Sequence, residues 1–289
     1  MVITNFMTHR PFTVAPTDLI DKAINIMEDR AFHHLIVTDG AQIVGILSDR
    51  DILISTGWTL SIERRRTGDK ANGHGVLPKR VEQIMSRSVH AVTDSDDVRE
   101  AALLMDGYQV SAVPVVSEGR LSGIITDSDL LRWLDELAFD ENGAGRFLAE
   151  EVQVLMSSPP ICAAPDTPID DVVSMVRRFS VRHVPVSLND QLVGIISDRD
   201  LRRLLGWSLS NDDEVVAARD NASPHIPSTA AEIMHENVET VQPNATLREA
   251  LRRMRDLRIH SLPVVKNGRL VGILTHSDFV KSIARGRLL

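Results

Sequence analysis

Paired apolar runs, each pair split by two polar or glycine-containing residues, recur four times: HLIVTDGAQIVGILS at 34–48, AVPVVSEGRLSGIIT at 112–126, HVPVSLNDQLVGIIS at 183–197 and SLPVVKNGRLVGILT at 261–275. Runs of this length predict strands, with hairpin turns at Asp39-Gly40 and Asn267-Gly268 and weaker equivalents at Glu118-Gly119 and Asn189-Asp190. A helix precedes each pair, its start marked by Asp97 with Glu100 or by Thr246 with Glu249. Ahead of the helix is a short extended segment (FTVAP, HAVTD, ICAAP, ETVQP), and the last strand runs into a second helix. The expected unit is β-α-β-β-α, an α/β class built of α+β repeats. A sheet of so few strands leaves an apolar face that helices and a neighbouring unit must cover, so the units should pair.

Each last strand ends in one motif: GILSDRD, GIITDSD, GIISDRD and GILTHSD. Its glycines, Gly45, Gly123, Gly194 and Gly272, are separated by 78, 71 and 78 residues, and Met7, Met85, Met156 and Met234 repeat the same spacing. Fixed spacing at two anchors marks homologous units. A longer period of 149 relates GWTLS at 57–61 to GWSLS at 206–210, as duplication of a two-unit module would. The boundaries read as unit 1 at 1–56, linker 57–81, unit 2 at 82–134, inter-module linker 135–151, unit 3 at 152–205, linker 206–229 and unit 4 at 230–289. Asn142-Gly143 should break the inter-module segment between short helical pieces.

Composition narrows the function. With 32 basic against 40 acidic residues, the net charge of −8 works against wholesale attraction to nucleic acid or anionic membrane. Arg64 to Arg66 are too short a run to reverse that and read as a solvated linker. One cysteine excludes an internal disulfide framework, no apolar run reaches the ~20 residues of a membrane helix, and the start lacks a secretory signal, so a cytoplasmic protein is expected. Trp58 and Trp207 read as packing residues. There is no phosphate-cradling glycine loop, no metal-spaced Cys/His set and no nucleophile with an evident base, so no catalytic residue and no metal site are assigned. His33 and His34 point to opposite faces of a strand and cannot easily share one ion.

Four copies of the Met-containing starts (NFMTHRPFTVAP, QIMSRSVHAVTD, VLMSSPPICAAP, EIMHENVETVQP), the strands SAVPVV, RHVPVS and HSLPVV, and the G-I-[IL]-[ST]-x-x-D motifs carry a resemblance over nearly the whole chain. The chain resembles the CBS-domain family, with paired repeats like the Bateman module. Unit 1 departs at Ile36, which stands where the others have Pro114, Pro185 and Pro263, an exchange for a good strand former. The resemblance implies two modules meeting as a flat disc, within a monomer or by exchange in a homodimer.

It also implies clefts that bind adenosine-containing ligands. The ribose candidates are Ser48 with Asp51, Thr126 with Asp129, Ser197 with Asp200 and Thr275 with Asp278. A carboxylate is acceptor-only and can receive both protons of a cis-diol. Ser-x-x-Asp after a strand is also an ordinary helix start, the side chains of which satisfy free N–H groups, so a dual role as cap and ribose ligand is expected. Cations before the hairpin, His33, His34, Arg182, His183 and His260, with Arg50 and Arg199 in the motif, are the phosphate candidates. The small residues Thr13, Ala91, Cys162 and Thr240 would let a base approach the backbone, with simple burial the competing reading for Cys162. Unit 2 has Ser111 and Ala112 in place of the basic residues, so unequal sites follow.

The function expected is a stand-alone, non-enzymatic regulator that senses AMP, ADP or ATP and changes module packing or the binding of an unknown protein target. The alternatives are a ligand-free interaction scaffold, or a sensor of S-adenosylmethionine or NAD.

Overall fold

The computed structural model describes residues 2–30, 32–55, 78–137, 143–201 and 227–287. Trp58, Trp207 and Arg64 to Arg66 lie outside them. Each unit carries its hairpin as expected: β3 (His34–Asp39) with β4 (Gln42–Ser48), β6 (Ala112–Ser117) with β7 (Arg120–Thr126), β8 (His183–Leu188) with β9 (Gln191–Ser197), and β10 (Ser261–Lys266) with β11 (Arg269–Thr275). The extended segments pair parallel to the first hairpin strand, as β2 (Thr13–Val14) on β3, β5 (Val92–Thr93) on β6, and the single bridges Ala163 to Val186 and Val241 to Val264.

In units 2 to 4 both turn residues take positive φ, at Glu118-Gly119, Asn189-Asp190 and Asn267-Gly268, the geometry that matches strand twist. Unit 1 corrects the sequence reading. Asp39 pairs with Gln42, so the turn is Gly40-Ala41, one residue later than expected, with Gly40 alone at positive φ.

The first helices are α1 (Ile20–Arg30), α3 (Val98–Tyr108), α6 (Ile169–Arg178) and α7 (Leu247–Leu257). Asp97 caps α3 by accepting from the Arg99 N–H, and Thr246 caps α7 by accepting from the Glu249 N–H, as their sequence signals imply. The second helices are α2 (Asp49–Ser55), α4 (Asp127–Glu136) and α8 (His276–Ala284), and unit 3 turns helical at Asp198.

Pairing is tighter than a face-to-face contact, because each unit's opening segment packs on its partner. Residues 8–9 form β1 and pair antiparallel with β7 of unit 2, and Ile3, Phe6 and Met7 enter that unit's core. Val81 and Met85 enter the core of unit 1, Val152 packs with unit 4, and Ala230 and Met234 pack with unit 3. Ser86, Ser157 and His235 each bridge the partner's last strand, at Ile46, Ile273 and Ile195. Met and Gly are one contact: a Cβ built on Gly45, Gly123, Gly194 or Gly272 would come within 2.5–2.6 Å of the sulfur of Met85, Met7, Met234 or Met156. Only glycine permits that approach.

Ile36, fully buried, packs with Ala112 and Ile124 in the seam between units 1 and 2. The largest apolar cluster joins units 2 and 4: Ala101, Met105, Leu130 and Leu134 of α3 and α4 meet Leu251, Met254, Phe279 and Ile283 of α7 and α8. The inter-module segment also contributes, because its short helical piece α5 (Ala144–Leu148) buries Phe147 and Leu148 there. Units 1 and 3 keep separate cores. The β9 and β11 strands join units 3 and 4, and Arg199 of unit 3 reaches His33 of unit 1, closing a ring in the order 1, 2, 4, 3.

Candidate functional site

The motif aspartate uses one oxygen as a cap. Oδ2 of Asp51, Asp129, Asp200 and Asp278 accepts from the backbone N–H of Ser48, Thr126, Ser197 and Thr275 at 2.7, 2.9, 2.8 and 2.8 Å. The same oxygen accepts each hydroxyl, at 2.6, 2.8, 2.5 and 2.8 Å. The other oxygen differs between units. Asp129 Oδ1 meets Arg132 of its own helix at 3.2 Å, Asp278 Oδ1 accepts from the Ser157 hydroxyl of unit 3 at 3.3 Å, and Asp200 Oδ1 accepts from His235 Nε2 of unit 4 at 2.8 Å.

Two clefts open between units 3 and 4. One, of about 300 Å3, contains Thr275 and Asp278, with Pro159 and Ile161 on its apolar wall. The other, of about 310 Å3, contains Ser197 and Asp200, with Asn237, Val238 and Glu239 opposite. Arg50, Arg182, His183 and His260 line the first, and His33, Arg182, His183, Arg199 and His260 line the second. Every phosphate candidate except His34 therefore borders one of these clefts, including two residues that unit 1 supplies across the ring.

Equivalent positions explain the convergence. The N–H of the first motif-helix residue donates to the carbonyl before the hairpin in all four units: Asp49 to His33, Asp127 to Ser111, Asp198 to Arg182 and His276 to His260, at 2.9–3.1 Å. Contacts across both diagonals of the ring, His33 with His260 and Arg182 with Ser111, put this group at its centre. His33 Nε2 lies 2.9 Å from Arg199 Nη2 and Nδ1 lies 2.6 Å from Asp49. The guanidinium can only donate and the carboxylate only accept, so His33 is the neutral Nδ1–H tautomer. Arg182 likewise donates to the Ser111 hydroxyl, which leaves that hydroxyl to donate to His34 Nε2 at 2.9 Å. His33 and His34 thus have separate partners, and among the described residues no His, Cys, Asp and Glu group of three is placed to hold a metal.

The centre disfavours extra protons. Burial, reinforced by Arg182, pushes His34 down to about 4, and burial with the neighbouring His260 and Arg182 pushes His183 to about 3. His260 falls to about 4 through burial and His276, the ring of which stacks on it at 4.5 Å. Burial would raise Asp127, but His276 and Arg182 outweigh it and hold the carboxyl well below its usual range. Burial raises Asp278 and Asp129. It opposes the opposite shift at Asp200, where hydrogen bonds from Ser197 and His235 prevail.

Several placements depart from the sequence reading. Thr13 and Ala91 are exposed and the buried residues beside them are Val14 and Val92, while Thr240 borders a separate hollow with Glu151 and Asn267. The apolar cleft walls come from positions one to three residues earlier in the segment. Cys162 is exposed rather than buried, because strand alternation turns Ala163 inward in its place. Asp127 and His276 join the central group without a motif to mark them, and the available signal is that Asp49, Asp127, Asp198 and His276 occupy one position of the repeat. His276 Nδ1 is buried without a hydrogen-bond partner, 3.8 Å from Asp127 Oδ1.

Four paired units with a capped aspartate at each hairpin end define a repeat module with ligand-sized clefts between units. The CBS-domain family model matches residues 3–55, 81–136, 149–206 and 230–285, and the chain belongs to that family. It is 29% identical to MJ1225 of Methanocaldococcus jannaschii over 279 residues, 94% of this chain and 95% of that one. The MJ1225 crystal structure, described as a candidate archaeal homologue of g-AMPK, superposes with a TM-score of 0.78 at 26% identity over 98% of this chain and all of that one. An uncharacterised protein from Pyrococcus horikoshii shares the fold, with a TM-score of 0.64 at 23% identity over 98% of this chain and all of that one. The CBS domain-containing protein YhcV of Bacillus subtilis is 30% identical over 121 residues, 42% of this chain and 81% of that one. Among the described residues no helix is long and apolar enough to cross a membrane.

Proposed function

We propose that this protein is a regulatory sensor of an adenine nucleotide, AMP, ADP or ATP, bound in the clefts between units. The observation that carries this reading is the division of labour in Asp278: one oxygen is spent on the helix cap, and the other faces a hydroxyl in a cleft that ends on Arg182, His183 and His260. A ribose diol fits the carboxylate, and a phosphate fits the guanidinium and imidazoles. The likeness to MJ1225 supports a regulatory role. Because Arg50 of unit 1 and Ser111 of unit 2 border a cleft of units 3 and 4, a phosphate there would tie the modules together. A ligand with different affinity for two module arrangements shifts their balance.

A ligand-free scaffold has one observation in its favour: His33, His34 and Arg182 are already partnered within the protein. Thermal unfolding against AMP, ADP, ATP, NAD, S-adenosylmethionine and GTP separates the two, since a ligand of the folded state raises the midpoint by mass action. A rise with an adenine nucleotide that is lost in Asp278→Asn supports the sensor. No rise with any of them leaves the scaffold.

A further inference from the structure

The residue after each anchoring methionine is Thr8, Ser86, Ser157 or His235, so one of the four equivalent positions bears an imidazole in place of a hydroxyl. Its backbone is fixed. The His235 N–H donates to the Ile195 carbonyl at 2.9 Å, the Ile195 N–H donates back at 3.0 Å, and Met234 sits against Gly194. The side chain lies open to solvent, 62% exposed against 10% for Asp200. The ring rests on Asp200 Oδ1 at 2.8 Å, while Ser197 occupies Oδ2 through its N–H and its hydroxyl.

We infer that His235 is a gate on the Asp200 cleft: its imidazole holds the carboxylate oxygen that a ribose diol needs, so a nucleotide enters that cleft by displacing the ring. This assignment rests on the nucleotide reading above. The neighbouring cleft has no such gate, because the equivalent Ser157 presents a small hydroxyl to Asp278 at 3.3 Å, and a hydroxyl can turn aside by rotation about one bond. His235 lines the cleft with Asn237 and Glu239, so the displaced ring has water and polar neighbours to turn to. The two clefts share Arg182, His183 and His260 but differ at this position, which makes His235 a specificity-determining residue. The Asp278 cleft fills first and the Asp200 cleft at higher nucleotide concentration, which spreads the response over a wider range of ligand.

Calorimetric titration of the full chain with AMP tests the gate in wild type, His235→Thr and His235→Thr/Asp200→Asn. Threonine is the residue that position 8 already carries, and the exposed side chain makes misfolding a minor risk, checked by the thermal midpoint. Opening the gate should tighten the weaker class of sites by roughly three- to tenfold, the scale of one partly exposed charge-assisted hydrogen bond. The gain should vanish in the double variant and with 2′,3′-dideoxy-AMP, which lacks the diol. Unchanged or weaker AMP binding in His235→Thr, or a gain that survives Asp200→Asn, overturns the gate while leaving the nucleotide reading in place. If well-folded wild type and His235→Thr both take up none of AMP, ADP and ATP, the nucleotide reading falls and the gate falls with it.

Discussion

The sulfur of Met234 lies 2.5 Å from where a Cβ on Gly194 would stand, and that contact bolts the opening segment of unit 4 onto unit 3. Gly194→Ala should therefore destabilise the protein by about 1–3 kcal/mol, the usual cost of overpacking a fitted site. Met234→Ala in the same chain should recover part of the loss, because it removes the clashing atoms. Denaturant titration of both single variants and the double variant gives the coupling, and strictly additive effects would show that the two residues do not share a site.

Asp278 can be separated into its two jobs. Glutamate is the usual partner of Ser/Thr in a capping box, so Asp278→Glu should cost less than about 1 kcal/mol of stability. The longer side chain moves the second oxygen away from the cleft wall, and nucleotide affinity should fall by at least about tenfold, about 1.4 kcal/mol. Thermal midpoint and calorimetry on one variant give both answers. An affinity equal to wild type would reduce Asp278 to a cap.

Arg182 borders both clefts of the second module. Arg182→Ala should weaken AMP binding by about tenfold or more while leaving adenosine within about twofold, since a charged bidentate donor acts on the phosphate alone. Competition experiments with the two ligands measure that ratio. Equal losses for both would mean that Arg182 acts through packing.

Acid should loosen the ring. His34, His183 and His260 have native values of about 4, 3 and 4, against ~6.5 for an unfolded imidazole. Between those limits the unfolded chain binds more protons, so stability is fully present above pH ~6.5 and is lost as pH falls toward 4. The raised carboxyls of Asp129 and Asp278 oppose this from 3.8 upward and blunt only the lower end. The thermal midpoint should drop between pH 7 and pH 5, and a phosphate-bearing ligand should bind with net proton uptake at pH 5, read by calorimetry in buffers of different ionisation enthalpy. A midpoint flat across that range would mean that the three rings are not buried neutral.

The repeat, the hairpins and the motif caps were legible because each rests on local chemistry. Asn267-Gly268 sets its turn through two residues that tolerate positive φ, and Thr246 caps a helix three residues away. The central group was half legible. His33, Arg182 and His260 stand out as cations, whereas Ser111 joins the group only when Arg182 arrives from 71 residues away and His34 from 77. The segment holding Thr13, Ala91 or Thr240 is too short to reveal which of its alternate residues turns inward, and the buried ones are Val14, Val92 and Val241. His235 is invisible to motif reading for the same reason as the exchanged segments: both gain meaning only from a partner unit.

That exchange has a hereditary consequence. A unit excised at its own sequence limits would keep an arm belonging to its neighbour and lose the one that completes its core, as unit 3 would lose Ala230 and Met234. The smallest piece that can be copied and still fold is then a pair. The period of 149 between GWTLS and GWSLS, longer than any single repeat, is the trace of copying in that unit.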